Sequence, residues 1–69
     1  GQDNAYFEKL ALKEILIKLP AKEKMVIHLR FFEDKTQAEI AEIIGLSQVQ
    51  VSRIEKRALK LIRDYLETS

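Results

Sequence analysis

Apolar residues recur along this chain at helical spacing, and no stretch alternates with the period of two that marks a half-buried strand. No Asn-Gly or Asp-Gly pair offers a hairpin turn either. The pattern predicts four helices. The first runs from about Asn4 to Lys18, with Asp3 as its N-cap. Pro20 stops it, because proline pushes the preceding residue out of the α region. Pro20 also suits the start of a second helix over about Ala21–Phe32, with Val26, Ile27, Leu29, Arg30 and Phe31 on its face. Glu33-Asp34-Lys35 reads as a polar turn.

The next two helices carry their own punctuation. Thr36-Gln37-Ala38-Glu39 fits a capping box, in which a Thr side chain and a Glu three residues later satisfy each other's free backbone N–H groups. Ile40, Ala41, Ile43 and Ile44 follow. Gly45 then supplies the left-handed residue that often closes a helix. After Leu46 a second capping box, Ser47-Gln48-Val49-Gln50, opens a fourth helix from Gln48 to about Leu66. Val51, Ile54, Ala58, Leu61, Ile62 and Tyr65 form one stripe along it. Two capped helices joined by three residues, with glycine in the turn, are a helix-turn-helix. Ala41 is small where the helices should cross, Leu46 should plug the core from the turn, and Val51 and Ile54 should pack on Ile40 and Ile44. The fold expected is all-α, a small bundle of four helices containing a helix-turn-helix, as one domain over residues 1–69.

Charge changes the picture only locally. The chain as a whole carries +1, which announces no nucleic-acid partner. From Gln48 to Arg63, however, Arg53, Lys56, Arg57, Lys60 and Arg63 face a single acid, Glu55, for a net +4. Acids gather instead at Glu33, Asp34, Glu39 and Glu42. Such polarity steers a phosphate backbone onto one element.

If the Val51–Tyr65 stripe is buried, the opposite face holds Val49, Ser52, Arg53, Lys56, Lys60 and Arg63. Recognition helices read base edges with their N-terminal residues. Gln48 can pair with adenine N6 and N7, Val49 can sit against a thymine methyl, and Arg53 can fork onto guanine O6 and N7. An exposed valine is also ordinary on any surface. Ser52 is short enough for phosphate or base. Gln50 is divided between its cap and a phosphate. Lys56, Arg57, Lys60 and Arg63 form a backbone-tracking or simply solvated face.

Other chemistry finds no support. Without cysteine there is no disulfide or thiolate zinc site, and His28 has no partner at metal-ligand spacing. The chain lacks a nucleophile–base pair and a phosphate-binding glycine loop, so it is read as a non-enzyme with no cofactor and no metal. The carboxylates look placed for capping and helix-surface pairs. No apolar run approaches a membrane span, and the Gly-Gln-Asp-Asn start does not resemble a signal peptide. A cytoplasmic setting is expected.

Several motifs together resemble a known family. Leu19-Pro20-Ala21-Lys22-Glu23, Val26-Ile27-x-Leu29-Arg30-Phe31, Thr36-Gln37-x-Glu39-Ile40-Ala41 and Gly45-Leu46-Ser47-x-x-x-Val51-x-x-Ile54-Glu55-x-x-Ala58-Leu59-x-x-Ile62-Arg63 are similar to the C-terminal domain, region 4, of bacterial RNA polymerase sigma factors. The segment from Ser47 to Arg53 most resembles the sporulation and general-stress alternative sigma factors of Gram-positive bacteria. The resemblance implies reading of the promoter −35 element in the major groove, docking on the flap of the polymerase β subunit, and in many members masking by an anti-sigma factor. By motif position it implies base reading by Gln48, Val49, Ser52 and Arg53. Phosphate contacts fall on Lys22, Arg30, Gln37, Gln50 and Arg57, with Lys56 and Lys60 as further candidates from the basic face. Primary sigma factors place Arg and Glu at the positions of Gln48 and Val49, so this chain should read a different promoter sequence. Lys22 stands where Arg is frequent and keeps the point charge a phosphate needs.

Two other readings fit the same pattern. The helix order also resembles the output domain of LuxR-type regulators, from which the Leu19–Phe31 and Ile54–Leu59 motifs differ. A helical module that binds only protein would use the first helix, whose apolar residues spread round its circumference. Phe7, Leu10 and Ile17 lie on one side, and Leu12, Leu16 and Leu19 on the other. One side should pack on the helix-turn-helix. At least one of Leu12, Leu16 or Ile17 should then stay more than a third exposed, as a partner surface or a cause of self-association.

Overall fold

The computed structural model describes residues 13–68. Among them, helical segments follow one another without a strand: α1 (helical over 13–18), α2 (Ala21–Ile27, continued by a π-helical turn, His28–Phe32), α3 (Gln37–Ile44) and α4 (Gln48–Thr68). The expected start of α1, with Asp3, Phe7, Leu10 and Leu12, lies outside the described residues. Its end is where Pro20 predicts. Leu19 N–H donates back to the Leu16 carbonyl at 3.1 Å, and the Pro20 carbonyl accepts the first bond of α2 from Lys24 N–H at 2.9 Å.

The end of α2 departs from expectation. Glu33 N–H reaches the carbonyl of His28, five residues back, at 3.2 Å, and Lys35 N–H that of Leu29 at 2.9 Å. In an α-helix Phe31 would lie over Ile27. The wider turn brings Phe32 to that side instead, where it packs against the cluster that holds Ile27, and leaves Phe31 52% exposed. Phe31 is therefore not on the apolar face that regular periodicity assigned it. His28 lies at the edge, its Nε2 3.1 Å from Glu33 and its ring stacked on Phe32. Asp34, at φ +55°, reverses the chain into α3, a conformation its short polar side chain tolerates.

Two apolar clusters hold the bundle. Leu16, Leu19, Ile27, Ala58 and Ile62 form one; Val26, Leu29, Ile40, Ala41 and Val51 form the other. Adjacent residues of α2, Val26 and Ile27, serve one cluster each. Helix α4 runs through both, its first half anchored by Val51 with Ile54 and its second by Ala58 and Ile62 with Leu61 and Tyr65. The whole predicted stripe thus faces inward, and α4 must turn its other side out. Val26, Ile27, Ile40 and Val51 are fully buried, so truncating one of the isoleucines to alanine should cost about 2–5 kcal/mol.

The turn between α3 and α4 matches its prediction. Gly45 adopts φ +75°, and the N–H groups of Gly45 and Leu46 both donate to the Ala41 carbonyl, at 2.9 and 3.0 Å. Leu46 packs into the second cluster beside Ala41. Among the described residues no helix is long and apolar enough to cross a membrane.

Candidate nucleic-acid interface

The outward side of α4 begins at its capped N-terminus. Ser47 Oγ accepts from Gln50 N–H at 3.1 Å, and Gln50 Oε1 accepts from Ser47 N–H at 2.9 Å. This fixes the direction in which the first turn leaves the bundle. Capping occupies only the amide oxygen of Gln50; its NH2 group keeps donors for a phosphate. Cap and phosphate contact are compatible, which the sequence alone left as alternatives.

Gln48, Val49 and Gln50 are exposed, Val49 by 61% despite its apolar side chain. Arg53 is exposed one turn further on. Ser52 is half-buried beside it, which restricts what it can reach. Lys56, Arg57, Lys60 and Arg63 continue the exposed face. No acid lies in the first turn of α4. Its free N–H groups and the partial positive charge of the helix end are therefore presented to solvent without a local counter-charge.

Residues from α2 and α3 join this face. Lys22, Glu23, Gln50, Arg53 and Arg57 line one shallow groove of about 200 Å³, together with Leu46 and Ile54. Arg57 Nη1 lies 3.5 Å from Glu23 Oε1. Arg30 and Gln37 meet elsewhere, on Glu55: Arg30 Nε donates to Oε1 at 3.0 Å and Gln37 Nε2 to Oε2 at 3.1 Å. Arg30 Nη1 also donates to the Lys35 carbonyl at 3.3 Å. Lys56 and Lys60 belong to neither the groove lining nor the Glu55 bonds.

Two carboxylates were missed as structural parts of this face. Glu23 is 5% exposed and lies beneath Arg57; a glutamate amid lysines on a short amphipathic helix gives no sign of that. The Glu55 side chain is 14% exposed. Its signal was its isolation as the one acid among five cations. Neither is the surface-pair carboxylate that the sequence suggested. Glu39 does fit the capping role. Its backbone and side-chain hydrogen bonds with Thr36, helped by the charge of Lys35, hold its carboxyl below the usual range.

A second surface lies on the first helix and α2. Ile17 is 74% exposed, whereas Leu16 is buried in the core at 5%. The expected division of the first helix into a packed and an unpacked side therefore holds for its described part. Leu16, Ile17, Ala21 and Met25 line an open groove of about 620 Å³ with Lys13, Lys24 and His28.

Comparison with known proteins agrees with the geometry. The family Sigma-70, region 4 matches residues 15–64. The RNA polymerase sigma-F factor of Bacillus subtilis (strain 168) is 49% identical over 63 residues, covering 91% of this chain and 25% of that protein. The sigma-G factor of the same organism is 55% identical over 58 residues, 84% of this chain and 22% of that protein. Its sigma-B factor is 37% identical over 59 residues, 86% of this chain and 22% of that protein. The chain spans about a quarter of the length of the curated relatives it matches.

Proposed function

The chain belongs to the sigma-70 region 4 family, with its relatives among the sporulation and stress sigma factors, and from that premise we propose that it recognises the −35 element of a promoter for RNA polymerase. One observation carries the reading: α4 leaves the bundle with a capped, acid-free N-terminus that presents Gln48, Val49 and Arg53 to solvent. A major groove admits a helix in that orientation. Gln48, Val49 and Arg53 read base edges, and Ser52, half-buried, reads or braces at the groove edge. Lys22, Gln50 and Arg57 take phosphate on one flank, Arg30 and Gln37 on the other, and Lys56 and Lys60 track the backbone from the outward side of α4. A protein acting on promoters works in the bacterial cytoplasm.

The groove at Ile17 and Met25 supports a second contact, with the β flap of the polymerase core. This apolar surface shares no residue with the first turns of α4, so it leaves those side chains free while the domain is held on the enzyme. An anti-sigma factor, or a second copy of the chain, would compete for the same surface.

The test is the salt dependence of binding to a duplex. Four or five of these cations neutralising phosphates predict a slope of log affinity against log salt on the order of −4. Lys60→Ala should flatten the slope without altering sequence preference. A slope near zero would exclude DNA binding as the main role.

A further inference from the structure

We propose that Glu55 is a positioning residue for DNA binding, an acid that strengthens the grip of a basic face by holding Arg30 and Gln37 in place. The inference rests on the DNA-binding reading above. Glu55 is the lone acid among the five cations between Gln48 and Arg63. On charge alone it opposes a phosphate backbone, since it lies on the very helix that carries the basic face. Its surroundings give it a different part. Its two carboxylate oxygens take one bond each, from Arg30 at the end of α2 and from Gln37 in the first turn of α3. A single carboxylate thus ties three elements together across 25 and 18 positions of sequence.

The donors it leaves over are the ones that matter. A guanidinium has five N–H groups in a fixed fork. Glu55 takes the one on Nε and the Lys35 carbonyl one on Nη1, at 3.3 Å. The rest of the fork remains, on a side chain still 40% exposed. The amide of Gln37 likewise keeps its second N–H. Ordering a long side chain on binding costs conformational entropy. Here the clamp has ordered both side chains before DNA arrives. A charge-assisted bond to Arg30, 14% exposed on the acid's side, is firm enough to hold that geometry.

The proposal makes a prediction opposite in sign to simple electrostatics. Glu55→Ala raises the net charge by one, which by charge alone tightens binding. Positioning predicts looser binding instead. The measurement is fluorescence anisotropy on a duplex of random sequence across a range of salt. Circular dichroism melts of each variant fix the temperature at which all are folded. Glu55→Ala should bind roughly fivefold more weakly than the parent, with a salt slope flatter by about 1. Glu55→Gln keeps one acceptor oxygen and should fall between the two. In an Arg30→Ala, Gln37→Ala background, Glu55→Ala should cause no further loss. Folded Glu55 variants that bind as tightly as the parent or more tightly overturn the proposal. An equal loss with and without Arg30 and Gln37 also overturns it. Should Glu55→Ala fail to fold, Glu55→Gln decides between the same two outcomes, weaker binding for positioning and equal or tighter binding against it. A parent that does not bind at all fails the DNA reading, and this inference with it; a parent that binds while Glu55 variants tighten fails the positioning role alone.

Discussion

Helices α3 and α4 start in register, and comparing them residue by residue separates what folds the domain from what it presents to a partner. Each begins with a hydroxyl cap, Thr36 or Ser47, followed by a glutamine, Gln37 or Gln48. Four residues after the cap each buries an aliphatic anchor completely, Ile40 or Val51. The capping bonds are the same length in both, 3.1 Å to the hydroxyl and 2.9 Å to the third residue's side chain. The differences fall on the outward positions. Where α3 has Ala38, Glu39 and Glu42, α4 has Val49, Gln50 and Arg53. A carboxylate at a helix start complements the macrodipole and improves the cap. Helix α3 uses one; α4 caps with a neutral amide and leaves its positive end uncompensated. A phosphate is the anion that such an end suits. The shared cap and anchor positions are those of the fold, and Val49, Gln50 and Arg53, where α4 diverges, are on the proposed DNA face.

The contrast can be sharpened first at Arg53, whose counterpart on α3 is Glu42. We predict that Arg53→Ala costs about 1–3 kcal/mol of affinity for the preferred promoter sequence and relaxes selection at one base pair. Equal losses on preferred and random duplexes would make Arg53 a phosphate contact instead. Exchanging the cap chemistry should break the contrast. With Gln50→Glu, α4 acquires the carboxylate that α3 has; DNA affinity should fall roughly tenfold by anisotropy, while the melting temperature holds or rises slightly. Undiminished affinity would show that this helix end does not face phosphate. The caps themselves come next. Thr36→Ala and Ser47→Ala should each destabilise the fold by about 1 kcal/mol in urea titrations, and the Ser47 variant should also lower DNA affinity where both proteins remain folded. The smallest effect is that of Glu39. Its depressed pKa makes its capping contribution complete above the ordinary carboxyl range and lost as pH falls through the lowered value. Stability measured against pH should therefore lose one shallow acid-side component in Glu39→Gln. An unchanged curve would mean that this exposed bond contributes nothing measurable.

Much of this was legible in the sequence because it is local. A cap and its partner lie three residues apart, Gly45 announces its own φ, and the α4 stripe is a period in one element. The base-facing candidates followed from the same stripe, since the buried side dictates the exposed one. What escaped was set by packing. The π-helical turn that exchanges Phe31 for Phe32 is one extra residue within an otherwise regular pattern, and a fixed period cannot register it. The Glu55 bonds join residues 25 and 18 positions apart, and no periodicity connects a polar residue on α4 with the end of α2. Glu23 was hidden for the same reason: its partner, Arg57, is on another helix. The exposed side of the first helix was visible as surplus apolar area, because so thin a bundle can cover only one side of it.

On this proposal the first turns of α4 read a promoter sequence. The most direct test is selection of bound sequences from a random library by RNA polymerase carrying this domain as its sigma region 4. The expected result is a single enriched motif at the −35 position, different from that of primary sigma factors because Gln48 and Val49 are uncharged. That motif should lose definition at one base pair when Val49 is replaced by alanine and at another when Arg53 is. Recovery of no enriched motif, or of one indifferent to both substitutions, would contradict it.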